Sequence, residues 1–449
     1  MAPLDGFRAL AMLWVVSLHS YQFMPYTLSL SDEERASYDH MLNSVAMRPV
    51  LTGDLGVDIF FILSGYLIMA ILTKELAPHV RAGGSNGSSS SNDPSLQEPL
   101  INNNSSSMPQ RSLAGTVGAF FLRRYLRIMP AYAFAIVFQA TAELMSPAGP
   151  VCLKYFWRNL LFIQNFFPEG EMCMAWSWSI AVEWQMYMVS PLIVWAALRW
   201  PHWAKLQMLA YAAVSIILYM ALTPYALGSP DTDTYFELVY AVPYTRMYGY
   251  VFGMLLFLVM SERKTAATND NTAAIEQDDD VPQQPRPAST SRLALVLRVL
   301  SIVVIALTCF SAPTQGLQSW GWFVARRVLT RPIFTAAMSY VIYDAIQANL
   351  DAYEAFVVRI LDSRLLFVLA QVSYSMYLLH PMLGGLYILF GSVPFVPQWL
   401  YPVVLILILT GTFALAVLVY FAIEKPMINI GNQKTRPAVA PPTTLPLAV

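Results

Sequence analysis

Charge is what this chain lacks most. Only 12% of its 449 residues are Asp, Glu, Lys or Arg, about half of the roughly 25% usual in soluble proteins. That deficit excludes an intrinsically disordered chain and a nucleic-acid binder, whose affinity comes from clustered cations. Cysteine is scarce as well. Cys152, Cys173 and Cys309 are the whole supply, too few for a secreted disulfide scaffold or a cysteine metal site. No Gly-rich phosphate loop and no metal-ligand spacing occurs, so neither a resident metal nor a nucleotide cofactor is expected. What is abundant is apolar: 56% of the residues are hydrophobic and 11 are Trp, with a mean hydropathy of +0.49.

Several apolar runs reach the roughly 20 residues a helix needs to cross a bilayer. They lie near Leu4–Phe23, Asp54–Leu76, Phe120–Leu144, Met174–Leu198, Ala204–Leu222 and Glu237–Met260, then near Leu293–Ala312, Pro332–Leu350, Leu365–Phe390 and Trp399–Ile423. The expected fold class is an all-α polytopic membrane protein of about ten transmembrane helices, multi-pass in the plasma membrane or an endomembrane. The first run has neither a basic region nor a small-residue cleavage site ahead of it, so it reads as a retained helix rather than a signal peptide. The stretch Tyr155–Phe166 is short and contains Arg158 and Asn159, which fits a re-entrant or interfacial piece better than another span. Residues 1–430 read as one transmembrane domain. Gly/Ser/Asn and Asp/Gln/Pro inserts at 83–107 and 264–291 interrupt it, and a Thr/Pro tail follows at 431–449; all three compositions predict disorder.

Lys74, Arg81, Arg111, Arg123, Arg124, Arg199, Lys205, Arg263, Lys264, Arg292, Lys425 and Lys434 flank connections of one parity. This places both termini in the cytosol. Arg326, Arg327 and Arg331 are an exception, falling on the opposite side. The Asn-x-Ser acceptors at Asn86, Asn103 and Asn104 fall in a loop assigned to the cytosol, where they meet no glycosylation machinery. Cys152 and Cys173 fall on the oxidising side, either bridged or as two free thiols. Cys309 reads as a small buried apolar residue. The two long outer segments are 24–53 and 145–173.

An ionisable group at the bilayer centre costs about 2.5–3.5 kcal/mol, so each one needs a partner, a water-filled cavity or a task. Arg8 and His19 share one stripe of the first helix, separated by roughly 16 Å along its axis. A snorkelling Arg and a packed His are the plain alternative. Asp54 and Asp58 sit at i, i+4 where the second helix begins. Asp54 reads as a cap, while Asp58 lies at about the depth of His19 and is expected to orient it. Ser64-Gly65 permits close helix approach.

Arg123, Arg124 and Arg127 enter the third helix together and, with Arg8, predict a cationic pocket for phosphate groups; for Arg123 a positive-inside anchor is the better reading. Glu183 lies within the fourth span, with Trp176 and Tyr187 on its face at i−7 and i+4. Ser373, Tyr377 and His380 share a face of the ninth span. Glu424-Lys425-Pro426 reads as a structural cap on the last span.

Taken in order, these segments resemble the membrane-bound acyltransferase-3 family. The likeness runs through Leu4-Asp5-Gly6 with Arg8 and His19, Gly56-Val57-Asp58-Ile59-Phe60-Phe61 with Ser64-Gly65-Tyr66, and Arg123-Arg124 with Arg127 and Pro130. It continues in Trp176-Ser177 with Glu183 and Tyr187, Arg246 with Tyr250 and Gly253, Ser373-Tyr374 with Tyr377 and His380, and Glu424 with Pro426. The variants Glu183-Trp184-Gln185-Met186-Tyr187 and Pro243-Tyr244-Thr245-Arg246 are most similar to its eukaryotic nose-resistant-to-fluoxetine branch. The resemblance implies O-acyl transfer, often acetyl, from acyl-CoA as co-substrate to a hydroxyl of a carbohydrate or lipid acceptor. It also implies that His19 and Arg8 are essential. The expected mechanism has phosphates of acyl-CoA at Arg8, Arg124 and Arg127, with His19 as general base or transient acyl carrier. Asp58 or Glu183 would orient His19, with Ser64, Tyr187, Arg246, Tyr377 and His380 in supporting positions. The alternative is a lipid or small-molecule transporter of the same fold, although no paired repeat of the kind transporters show is present.

Overall fold

The computed structural model describes residues 2–27, 33, 36, 39–41, 43–84, 111–144, 150–231, 233–277, 292–311, 320–347, 352–390 and 401–435. Among these every regular element is helical. The long helices of the first half are α1 (Ala2–Thr27), α2 (Gly56–Gly84) and α3 (Leu113–Leu144), followed by the short α4 (Val151–Leu160) and by α5 (Trp178–Arg199), α6 (Ala204–Leu227) and α7 (Pro243–Gln277). The second half adds α8 (Arg292–Phe310), α9 (Trp320–Gln347), α10 (Ala352–Leu361), α11 (Arg364–Phe390), α12 (Tyr401–Val419) and α13 (Lys425–Lys434).

Seven helical stretches among the described residues are long and apolar enough to cross a membrane: Val45–Ala82, Ala175–Arg199, Pro201–Leu227, Phe236–Arg263, Arg292–Phe310, Arg364–Leu383 and Pro402–Lys434. The remaining three expected spans fall on α1, α3 and α9, which have 26, 32 and 28 residues. Their length suffices, but they carry Arg8 and His19, Arg123, Arg124 and Arg127, and Arg326, Arg327 and Arg331. These three helices lose apolar signal to their own arginines, whereas Asp58, Glu183 and His380 are carried on helices that keep it.

Packing explains how such helices tolerate charge. Helix α1 is flanked by α2, α9, α10 and α11, and its Ala9, Ala11, Met12 and Val16 are fully buried, so its polar groups meet protein rather than lipid. Helices α2 and α7 touch backbone to backbone through a reciprocal pair of glycines. A Cβ on Gly65 would overlap the Tyr250 carbonyl, and one on Gly253 the Ile62 carbonyl. Only glycine allows that approach. The outer helices behave oppositely. Leu293, Val296, Leu300 and Leu307 on α8 and Val403, Ile406, Leu407 and Leu418 on α12 face outward, as a lipid-facing surface requires.

Helix α4 turns its large apolar residues Leu153, Phe156, Trp157 and Leu160 outward while Cys152, Arg158 and Asn159 are buried. This is the geometry of an interfacial helix, matching the reading of that stretch from sequence. Cys152 and Cys173 are joined in a disulfide that closes the segment. Two boundaries differ from expectation. Residues 264–277, expected in a disordered insert, continue α7 as helix, and Gly431–Lys434 complete α13. Most of the 83–107 insert with its three Asn-x-Ser acceptors, residues 278–291 and the tail beyond 435 lie outside the described residues.

Candidate active site

A cavity opens between α1, α2, α3, α5 and α11. Its polar wall brings together Arg8 from α1, Ser64 from α2, Arg124 and Arg127 from α3, Glu183 and Tyr187 from α5, and Ser373, Tyr374 and Tyr377 from α11; Val57, Phe60, Leu63 and Ile68 supply the apolar side. The cationic pocket expected from sequence therefore exists. Arg123 stands apart from it, ion-paired with Glu75.

Glu183 lies at the centre of the polar wall. The Ser64 and Tyr187 hydroxyls both donate to its Oε1. Arg124 lies over the faces of Phe120 and Tyr187, 5.7 Å from each ring centre, and Arg8 reaches Asp5 at 3.3 Å. Three guanidinium groups thus face one lining carboxylate, and counting Asp5 still leaves a positive excess. A cavity with that excess in low-dielectric surroundings attracts anions. Trp176 is not on the Glu183 face. It sits in a 3-10 turn, Ala175–Ser177, ahead of α5, and its indole Nε1 donates to the Leu378 carbonyl at 3.2 Å.

His19 lies outside this cavity and meets His380. Their Nδ1 and Nε2 atoms are 2.6 Å apart, with ring centres 4.9 Å apart and planes 11° from parallel. An in-line N···N contact plus the two ring radii accounts for that spacing, so the imidazoles are joined edge to edge in nearly one plane rather than stacked face to face. Pro381 explains the orientation. A proline has no N–H to give to the carbonyl four residues earlier, which is that of Tyr377. His380 Nδ1 takes that place and donates to Tyr377 O at 2.8 Å. With its Nδ1 protonated, neutral His380 presents Nε2 as an acceptor, and His19 must donate from Nδ1. The lone pair of neutral His19 is then on Nε2. A carbonyl freed by one proline thereby fixes the tautomer of a histidine on another helix.

Tyr377 connects the two features. It lines the cavity, its ring centre is 5.8 Å from that of His380, and its edge meets Phe60. Its hydroxyl is held by Ser179 Oγ at 2.7 Å and donates to the Trp176 carbonyl. Ser373 and Tyr377 thus face the cavity, and His380 lies one turn beyond it.

Asp58 does not orient His19. It is completely buried, 2.8 Å from Arg331 through one oxygen and 3.3 Å from Arg246 through the other. The same Arg331 also pairs with Asp54, which replaces the expected capping role. Arg246 is fully buried beneath the rings of Trp178 and Tyr240, 5.2 and 5.0 Å away. Two carboxylates and two guanidinium groups from α2, its preceding turn, α7 and α9 thus form a neutral cluster. Arg331, which opposed the orientation bias in the sequence, is an internal counter-ion. Glu183 likewise engages Ser64 and Tyr187 rather than His19. Glu424 is buried and accepts a hydrogen bond from Ser375 at 2.8 Å, linking the last span to α11.

Sequence reasoning missed Ser179, named Tyr374 only as part of the family likeness, and placed His380 in a supporting position without its direct contact to His19. The signal for the last was present in the dipeptide His380-Pro381, placed on the helix that holds the second histidine of the spans.

The Acyltransferase domain family model matches residues 2–421. Nose resistant to fluoxetine protein 6 of Caenorhabditis elegans is 23% identical over 419 residues, a match covering 87% of this chain and 46% of that protein. The chain therefore spans about half the length of this curated relative. No solved structure matches. With its polar helices α1, α2, α3, α5 and α11 all inside the matched region, the chain belongs to the acyltransferase-3 family of multi-pass membrane proteins.

Proposed function

We propose that this protein transfers an acyl group, acetyl in the simplest case, from acyl-CoA to a hydroxyl of a carbohydrate or lipid. The observation that carries the reading is the cation-rich cavity, one wall of which, Tyr377, contacts the ring of His380, the partner of His19. Arg8, Arg124 and Arg127 take the phosphates of the donor, and Arg suits them because its planar fork makes paired charge-assisted hydrogen bonds. With both termini in the cytosol this end of the bundle is open to cytosolic acyl-CoA. The Cys152–Cys173 disulfide supports an oxidising environment at the other end.

His19 Nε2 removes the proton of the acceptor hydroxyl as its oxygen attacks the thioester carbonyl. The carbon–sulfur bond breaks as the ester forms, and the departing thiolate receives that proton, leaving free coenzyme A and neutral His19. The positive charge on the imidazole is shared with His380 through the in-line contact. The same lone pair can instead take the acyl group first and pass it on.

The test is incubation of membranes holding the wild-type chain or His19→Gln with radiolabelled acetyl-CoA. Acceptor labelling that depends on His19 is the expected result. Equal labelling by both forms overturns the assignment, and lipid movement with no labelling selects the transporter reading.

A further inference from the structure

A second cavity lies against the turn that precedes α2 and the first half of α9. Thr52, Asp54, Arg326, Arg327, Thr330 and Arg331 line it. Thr52 and Asp54 come ten or more positions before Ser64, so roughly 15 Å of helix separates this cavity from the one holding Glu183. On α9 the pairs Arg326/Thr330 and Arg327/Arg331 each stand at i, i+4, so one helical face delivers all three cations to the same space.

The charges do not cancel. Arg331 is matched by Asp54 and Asp58, and Arg246 by Asp58, which uses both carboxylates. No carboxylate pairs with Arg326 or Arg327 among the described residues. Arginines that merely snorkel hold the whole guanidinium in water. Here the Nε atoms of both are shielded from solvent and have no hydrogen-bond partner among the described residues, while Arg327 rests on the rings of Tyr235 and Phe323 at 5.7 Å. Two positive charges without a carboxylate partner among the described residues thus stand at the wall of the cavity, beside Thr52 and Thr330, whose hydroxyls donate to backbone carbonyls.

We infer that this cavity is a binding site for an oxyanion, a phosphate or phosphate ester, held by Arg326 and Arg327 as forked donors. The cavity does not close around its contents, so the phosphate can be carried on a larger group that extends beyond it. That group is either a membrane phospholipid headgroup or a soluble phosphate ester. The site is separate from the acyl-CoA cavity and requires nothing of the transfer reaction.

The experiment uses the full chain, purified in detergent and in nanodiscs, with thermal unfolding and equilibrium binding as readouts. Inorganic phosphate and glycerol 3-phosphate probe the soluble source; nanodiscs of phosphatidylglycerol against phosphatidylcholine probe the lipid source. A saturable rise in Tm is expected with one of these sources. It weakens about tenfold in Arg326→Gln or Arg327→Gln and vanishes in the double variant. The double Lys variant, which keeps the charge, recovers part of it. Asp54→Asn, which removes the one carboxylate from the wall, moves affinity the other way and tightens binding; this opposite sign distinguishes a site from loss of fold. A response to no probe, or an equal response in wild type and both single Gln variants, overturns the proposal.

Discussion

The two ionic regions along α2 contain the same residue types and differ in balance. Near its start, Asp58 is buried between Arg246 and Arg331, and partly exposed Asp54 pairs with Arg331, so the groups in contact are two negative and two positive; Arg326 and Arg327 lie beyond this set, in the second cavity. About two turns further on, Arg8, Arg124 and Arg127 face Glu183 across an open cavity, three charges against one lining carboxylate, and still in excess when the Asp5 paired with Arg8 is counted. A buried carboxylate that is satisfied by arginines holds helices together, and one that shares a cavity with surplus cations is available to a ligand. Finding an ionisable residue in a span is therefore not enough to name a site; the sum of its neighbours decides.

The largest effect is expected where the balance is complete. Asp58→Asn leaves Arg246 and Arg331 short of a counter-ion in a dry interior, a loss on the order of 3–5 kcal/mol. Little monodisperse protein should survive in size-exclusion chromatography. Combining it with Arg246→Gln should recover folded protein, because fewer buried charges are then left unmatched. Wild-type yield from Asp58→Asn alone would show that the cluster is not a counter-ion set.

Next in size is the base. His19→Gln should cut turnover by about 10²–10⁴-fold, with acyl-CoA binding and Tm unchanged. His380→Gln, which acts through His19, should cost roughly 10–100-fold by analogy with outer-shell partners of functional histidines. That loss should fall on kcat rather than on KM for acyl-CoA, and equal losses in both would point to damage in the cavity instead.

Pro381→Ala tests the origin of the histidine geometry with a smaller change. It returns an N–H that competes with His380 for the Tyr377 carbonyl, and one such hydrogen bond is worth about 1 kcal/mol. Turnover should fall roughly fivefold, with no change in the amount of folded protein.

The smallest effect lies outside the membrane. Arg158 donates to Glu171 at 2.8 Å and holds its carboxyl below the ordinary 4.5. A lowered folded value means the pair stabilises above pH 4.5 and loses that contribution as pH falls below it, a slight decline in Tm absent from Glu171→Gln.

Much of the bundle was legible because helix position follows from apolar run length, and the family likeness from ordered polar residues. The cationic pocket was legible too, since Arg124 and Arg127 share a helix face and Tyr187 follows Glu183 by one turn. What sequence could not supply was pairing between distant segments. Asp58 and His19 stand at similar depth, yet depth does not say which neighbouring helix each faces, and Asp58 faces α7 and α9. Arg331 opposed the loop-charge bias because it is an internal counter-ion, a role that flanking-charge rules do not register. Among the described residues seven helices are strongly apolar, and α1, α3 and α9 fall short of them because each carries arginine of its own.

The most direct measurement of the difference between the two regions is the equilibrium Kd for acetyl-CoA of the purified wild-type chain, Arg124→Gln, Arg127→Gln and His19→Gln. The expected result is a Kd raised about ten- to hundredfold by either arginine change, with folded yield kept and His19→Gln binding as wild type does. Wild-type affinity in both arginine variants would contradict the assignment of the unbalanced cavity to the acyl donor.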